Sequence, residues 1–414
     1  MERRLAALLS SLALACASTG RAPGDAPGTR LPDDPYLDRQ LALVAAVGPR
    51  LEFDVASVRP SRAAFAVRQG IHADLPHAWA RTTGSRDVIV AFLDDGFFCD
   101  HEDLAGNLWA NPGESGLDER GYARETNGLD DDGNGYVDDV LGWDFAFADT
   151  DPDPYIFDGM DRSRVQPYAH SIDALGIVGA RGNNGLGVAG VCWEVSLMLL
   201  KIGAQGTPHD EIDLERVGRA ARAIRYAADN GARVVNWSGY TPDRRPQALD
   251  ELRAAIRYAA DKQVLLVVGA GNDAHDIDVD ANAWAPLCLD EPNVLGVAEL
   301  GLDGELYRYV LEDGVVRGSC WGRRRVQLAA IGSTYTTSLR DGRSAYRLGA
   351  GTSDAAPVVA GVAALVLSVR PDLGALELAR VLIESATPLD GLRGKVESGG
   401  TVNAARALEL ALAR

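Results

Sequence analysis

Residues 351–361 read Gly-Thr-Ser-Asp-Ala-Ala-Pro-Val-Val-Ala-Gly, and their reading decides the fold. Ser353 stands where a turn containing Gly351 gives way to a helical run, so its hydroxyl lies beside backbone N–H groups that no helical carbonyl satisfies. That placement suits an N-cap, and it also suits a nucleophile. From 355 to 369 every residue except Ser368 is small or apolar, which predicts a helix buried on all sides rather than an amphipathic one. The rest of the chain has to separate cap from nucleophile.

Working outward, short apolar runs at 87–93, 195–202, 234–237, 264–268 and 294–297 have the near-continuous hydrophobicity of strands covered on both faces. Helical patterns lie between several of them. In 214–229 the apolar residues Leu214, Val217, Ala221, Ile224 and Ala228 recur at helical spacing before the stop Asn230-Gly231, and a second pattern at 247–261 follows Pro246. This alternation predicts an α/β fold with a mainly parallel sheet, whose reactive groups gather at the carboxyl ends of strands.

Three residues besides Ser353 occupy such places. Asp94 ends the run 87–93, as a metal ligand, a loop cap or the orienting member of a triad would. His170, one of six histidines, precedes a run of helical period ending at glycine. Asn272 directly follows Gly269-Ala-Gly271, where its amide can donate into a shallow cleft, as an oxyanion stabiliser must, or can simply form a turn.

Taken together, these residues resemble the subtilisin-like serine proteases (subtilases, peptidase S8), over about residues 34–410. Asp94-Asp-Gly96 matches that family's Asp-Ser/Thr-Gly, and Gly351-Thr-Ser-Asp-Ala-Ala-Pro357 matches Gly-Thr-Ser-Met-Ala-Ala-Pro at all but one position. Gly269-Ala-Gly-Asn272, residues 179–190 and Gly399-Gly-Thr-Val-Asn403 also look like family blocks, in the family's order. The chain order Asp, His, Ser is the known order of subtilisin itself. The resemblance implies a three-layer subtilisin-like fold with helices on both faces of the sheet. It implies an exported serine endopeptidase with Ser353 as nucleophile, His170 as general base and acid, Asp94 orienting the imidazole, and Asn272 in the oxyanion hole. Ser238, Gly239 and Tyr240 on one side, with Gly269, Ala270 and Gly271 on the other, would bind the substrate backbone and wall the first specificity pocket.

The histidine block departs from the pattern. The family's Gly-His-Gly-Thr-His-Val-Ala-Gly stands here as Ala169-His-Ser-Ile-Asp-Ala-Leu-Gly176. Ser171 carries a Cβ where the family has glycine, and Asp173 lies three residues beyond His170 on the same helical face, where it could compete with Asp94 for the imidazole. Tyr240 falls on a usual glycine and is expected to narrow the specificity pocket. These departures keep a second reading open, a catalytically weak or inactive subtilase-fold binding protein.

Residues 130–139, Asp-Asp-Asp-Gly-Asn-Gly-Tyr-Val-Asp-Asp, place Asp130, Asp132, Asn134 and Asp138 at ligand positions 1, 3, 5 and 9 of a calcium loop, although Leu141 replaces the glutamate at position 12. A structural calcium ion is expected there, in an acidic insertion at about 106–168; the alternative is a solvated Asp/Gly turn. Gly185-Leu-Gly-Val-Ala-Gly190 spells GxGxxG, but it follows a helical stretch and precedes a strand, the reverse of a dinucleotide fingerprint.

The ends of the chain bear on location. Met1-Glu-Arg-Arg followed by an apolar run reads as a signal peptide over 1–17, with a lipobox-like Ala13-Leu-Ala-Cys16 that would lipidate Cys16; Ala15-Cys-Ala17 also fits simple cleavage after Ala17. The Pro/Gly/Asp-rich 18–35 reads as a flexible tether, and 36–414 as the catalytic domain. The expected location is therefore periplasmic, outer-membrane lipoprotein or extracellular, with membrane attachment only through Cys16. A net charge of −18 argues against nucleic acid as a partner, leaving a protein or peptide substrate, and a monomer is expected. Cys99, Cys192, Cys288 and Cys320 form an even set that permits two disulfides, in three connectivities.

Overall fold

The computed structural model describes residues 28–40, 42–43, 70–153, 170–203, 215–241, 243–311, 313–340 and 342–414. The expected signal peptide, Cys16 and the first part of the tether lie outside the described residues. So do 154–169, the end of the acidic insertion.

Among the described residues the largest element is a nine-stranded sheet. Its strands are β1 (Gly84–Asp94), β2 (Gly142–Asp144), β3 (Glu194–Lys201), β4 (Val234–Trp237), β5 (Leu265–Gly269), β6 (Val294–Leu300), β9 (Leu328–Ile331), β12 (Thr387–Pro388) and β13 (Gly400–Thr401). They lie in the order β12-β13-β9-β6-β5-β4-β1-β3-β2, and every pairing except β12 with β13 is parallel. Successive strand residues point to opposite faces. All of β4, β5 and β9 is buried, so both faces of the sheet are covered, as the continuous apolar runs require.

The covering helices form two layers. One is the pair α3 (Arg216–Asp229) and α4 (Pro246–Asp261), which pack on each other. The other is built on α5 (Thr352–Val369), which packs against α2 (His170–Gly179), α7 (Ala404–Leu412) and five strands of the sheet. The three-layer α/β architecture is therefore as the sequence leads one to expect. A short α1 (Leu75–Trp79) and α6 (Ala375–Glu384) complete the helices, and two hairpins lie outside the sheet: β7 (Arg308–Val310) with β8 (Val316–Gly318), and β10 (Tyr335–Arg340) with β11 (Arg343–Leu348).

The strand order reverses direction at β1, which lies between β3 and β4. In a parallel sheet the loops leaving such a strand diverge and open a crevice at its carboxyl end. Asp94 is the last residue of β1 and so stands in that crevice.

One expectation is corrected here. Residues 28–35, read as the end of a free tether, are docked: Arg30 N–H donates to Pro76 O at 2.8 Å, Asn183 N–H donates to Asp34 Oδ2 at 2.7 Å, and the Arg30 guanidinium lies over Trp193. Pro and Gly density reports the absence of periodic structure, which a chain fixed by loop contacts shares with a flexible one. The four cysteines are free thiols, so neither disulfide that the even count permits is formed.

Candidate active site

α5 sets Ser353. Gly351 precedes it with φ 131° and ψ 164°, a backbone conformation open to glycine, and its carbonyl accepts from Asp354 N and Ala355 N to start the helix. Pro357, the sixth residue of α5, lacks the N–H that would bond the carbonyl four residues earlier, which is that of Ser353. Ser238 meets that carbonyl instead, its hydroxyl donating to Ser353 O at 2.7 Å while accepting from Asn236 Nδ2 at 2.9 Å. A proline inside the helix thus ties the end of β4 to the nucleophile.

Asn272 follows β5. Its Oδ1 accepts Thr352 N–H at 3.0 Å, which turns Nδ2 outward as a donor, and Gly271 N–H donates to Thr352 Oγ1 at 3.1 Å. A Cβ built on Gly351 would stand 3.1 Å from Ser353 Oγ and 3.6 Å from Asn272 Nδ2, so both groups border one small gap that glycine leaves open.

His170 begins α2, and its Nδ1–H donates to Asp94 Oδ2 at 2.9 Å and Oδ1 at 3.2 Å, leaving Nε2 as an acceptor. Asp95 N–H donates to Asp94 Oδ1 at 2.8 Å, and Asp95 itself pairs with Arg216 at 2.8 Å. Burial alone would raise the Asp94 carboxyl, but His170, the Asp95 amide and Arg216 outweigh it and hold the group below the usual carboxylate range. Burial would lower His170; Asp94 first, then Asp354 and Asp173, outweigh it and raise the imidazole.

A model described as the subtilase family matches residues 85–404. The chain belongs to the subtilase family. Among similar proteins, subtilisin-like protease 1 of Plasmodium vivax is 30% identical over 336 residues, covering 78% of this chain and 47% of that protein. The extracellular basic protease of Dichelobacter nodosus is 28% identical over 350 residues, covering 81% of this chain and 52% of that protein. This subtilase therefore spans about half the length of these relatives. A protease structure from Pseudoalteromonas arctica superposes with a TM-score of 0.58 at 24% identity, covering 92% of this chain and 99% of that one, which bears on the fold.

Both departures at the histidine have structural answers in this subtilase. Ser171 is buried and its hydroxyl donates to Gly96 O, fastening α2 to the loop after Asp94. Asp173 does not meet His170 Nδ1; Arg347 on β11 takes it, Nε donating at 2.8 and 3.1 Å. Sequence reasoning missed Arg347, which lies 174 residues from Asp173 in the chain and carries no motif.

Ser238 is buried, and Tyr240 is 42% exposed with its ring stacked on Trp284 at a centroid distance of 6.0 Å. Opposite, Ala270 is buried, Gly269 leaves room for the Thr352 carbonyl, and Gly271 has φ 103° with Cys320 Sγ 3.4 Å from where a Cβ would stand.

The acidic loop is rearranged relative to the expectation. Asp130 accepts the N–H groups of Gly133, Asn134 and Gly135, and Asp138, at φ 54°, accepts from Gly128, so both carboxylates serve the loop backbone. The oxygens that converge belong to Glu114, Asp132 and Asp139, all within 4.8 Å of one another, with Asn134 Nδ2 donating to Asp132 and Asp139. Glu114 Oε2 is buried without a partner, and burial with the neighbouring negative charges raises both Glu114 and Asp139. An all-oxygen cluster with an orphaned carboxylate oxygen fits a hard divalent cation. Of the four sequence-predicted ligands, Asp132 is in the cluster and Asn134 touches it. Glu114 carried no signal, being outside the loop, whereas the doublet Asp138-Asp139 offered a choice of register.

Proposed function

We infer that this chain is an exported serine endopeptidase that hydrolyses peptide bonds through Asp94, His170 and Ser353 with an acyl-enzyme intermediate. The observation that carries it is the Asp94–His170 hydrogen bond at 2.9 Å, in a chain whose Ser353 opens a buried helix beside the Asn272 amide. Ser353 Oγ attacks the scissile carbonyl carbon as His170 Nε2 takes its proton, and the carbonyl oxygen becomes an oxyanion facing Asn272 Nδ2 and the Ser353 N–H. Collapse breaks the C–N bond, His170 gives its proton to the leaving amine, and water repeats the sequence on the ester. Asp94 holds the Nδ1–H tautomer throughout. The substrate backbone lies between Ser238-Gly239-Tyr240 and Gly269-Ala270-Gly271. An extracellular relative and the leader at 1–17 support export.

A fluorophosphonate probe tests this reading and separates it from a non-catalytic binding protein. Ser353 is expected to label in the folded chain with calcium present, and Ser353→Ala to abolish labelling. Absence of labelling in the folded wild type would sink the reading.

Glu114, Asp132 and Asp139 would hold a structural calcium ion, whose positive charge would let the three clustered carboxylates stay ionised and so stiffen the insertion. Chelation is expected to lower the melting temperature and Glu114→Gln to weaken that response; a melting temperature indifferent to chelator would remove the ion from the account.

A further inference from the structure

Two acidic side chains flank His170 besides Asp94: Asp173, one turn along α2, and Asp354, next to the nucleophile. They are 2% and 3% exposed, so each has lost its water. Carboxylates buried side by side disfavour one another's charge unless a cation faces them, so burial and this mutual repulsion push the Asp173 carboxyl up while a facing cation holds it down.

The cation comes from neither helix. Arg347 reaches in from β11, Nε donating to both oxygens of Asp173 at 2.8 and 3.1 Å and a second nitrogen donating to Oδ2, a forked grip. The hairpin that carries it is fastened to α2, since Thr336 Oγ1–H donates to Asp173 O at 2.9 Å and Thr337 Oγ1–H to Ile172 O at 2.6 Å. Arg347 is thus fixed to the helix whose first residue is the base.

We propose that Arg347 is a positioning residue for His170: by gripping the buried Asp173 carboxylate it leaves Asp94 alone on Nδ1 and fixes the charge against which the imidazole titrates. The consequence for catalysis rests on the serine-protease reading; the charge arrangement does not. Among the described residues, the other elements packed on α2 bring the following charged groups. β1 offers Asp94, with the Asp95–Arg216 pair behind it. α5 offers Asp354, with Glu299 of β6 facing that carboxyl. β3 offers Lys201, paired with Asp144 at 2.7 Å, and the exposed Glu194 at its far end. On β10, Tyr335 packs against Tyr36 and Arg340 is exposed.

Three carboxylates raise His170, and Arg347 opposes two of them. Its loss therefore raises the imidazole further and moves the onset of nucleophilicity to higher pH. The test is the pH at which fluorophosphonate labelling of the full chain is half-maximal, beside an NMR titration of the His170 imidazole, which needs no catalysis. Arg347→Met is expected to raise both midpoints by on the order of one pH unit. Arg347→Lys should recover most of that shift, and Arg347→Met with Asp173→Asn should return near the wild-type value, because one charge of each sign has gone. Slower labelling at every pH with an unmoved midpoint, or a double variant that fails to return, would overturn the proposal. Should Arg347→Met not fold, Asp173→Asn alone decides: its midpoints must fall, and unmoved ones overturn the idea. A wild type that never labels refutes the protease reading, while the imidazole titration still decides this one.

Discussion

α5 delivers Ser353 on an eighteen-residue helix that is almost wholly buried, and the contacts that hold Thr352 and Ser353 themselves are backbone groups and neutral side chains, although the next residue, Asp354, turns a charge towards His170. α2 delivers His170 on ten residues, held by Ser171, by two threonine hydroxyls and by an ion pair from a hairpin distant in sequence. One half of the site is fixed by shape, the other largely by charge. Shape is indifferent to pH, whereas a buried ion pair is sensitive to any change in the protonation of its members.

That contrast can be broken most severely at Gly351. Gly351→Ala puts a methyl 3.1 Å from Ser353 Oγ at a residue with φ 131°. Labelling and proteolysis are expected to fall by about 100-fold or more, as for loss of an oxyanion donor, and equally at every pH. A shift of the pH midpoint would show that the nucleophile side is not insulated from charge.

Asp354→Asn probes the charge that α5 itself turns towards His170. The Asp354 carboxylate raises His170, so its removal lowers the imidazole and moves the acid limb of kcat/KM to lower pH by up to about one unit. The gain should be roughly tenfold at most on the acid side, vanishing above the limb. A limb that stays in place would mean that Asp354 is a helix-start residue without influence on the base.

Tyr240→Gly is the mildest. It removes the ring stacked on Trp284, and the ratio of cleavage after large and small P1 residues is expected to rise by roughly fivefold, about 1 kcal/mol of discrimination, with no change in the pH limb. An unchanged preference would take Tyr240 out of the pocket.

Much of this was legible because the signals are local. The strand runs and helical periods fall on β1, β3, β4, β5, β6, α3 and α4 to within a few residues, since hydrophobic periodicity is a property of neighbours in the chain. The hairpin β10–β11 was not legible: Thr336 and Thr337 are buried, yet polar, because their hydroxyls meet helix carbonyls that only the folded chain provides. The cation cluster was half-read for the same reason. Asp130 and Asp138 have the spacing of ligands but spend their oxygens on their own loop, while Glu114 enters from outside it.

By itself the sequence determined the α/β class and the family, and it marked Asp94, His170, Asn272 and Ser353 as the candidates for the chemistry, because each of these is written in residue type and spacing along the chain. The tertiary structure decided what surrounds them. Whether Asp173 faces His170 or Arg347 depends on a contact between residues 174 positions apart, and no local pattern encodes which of two partners a buried charge will meet. The stretch at 351–361 shows both kinds of information at once. Its motif names Ser353, but that the carbonyl freed by Pro357 is taken by Ser238 is settled only when β4 and α5 pack together.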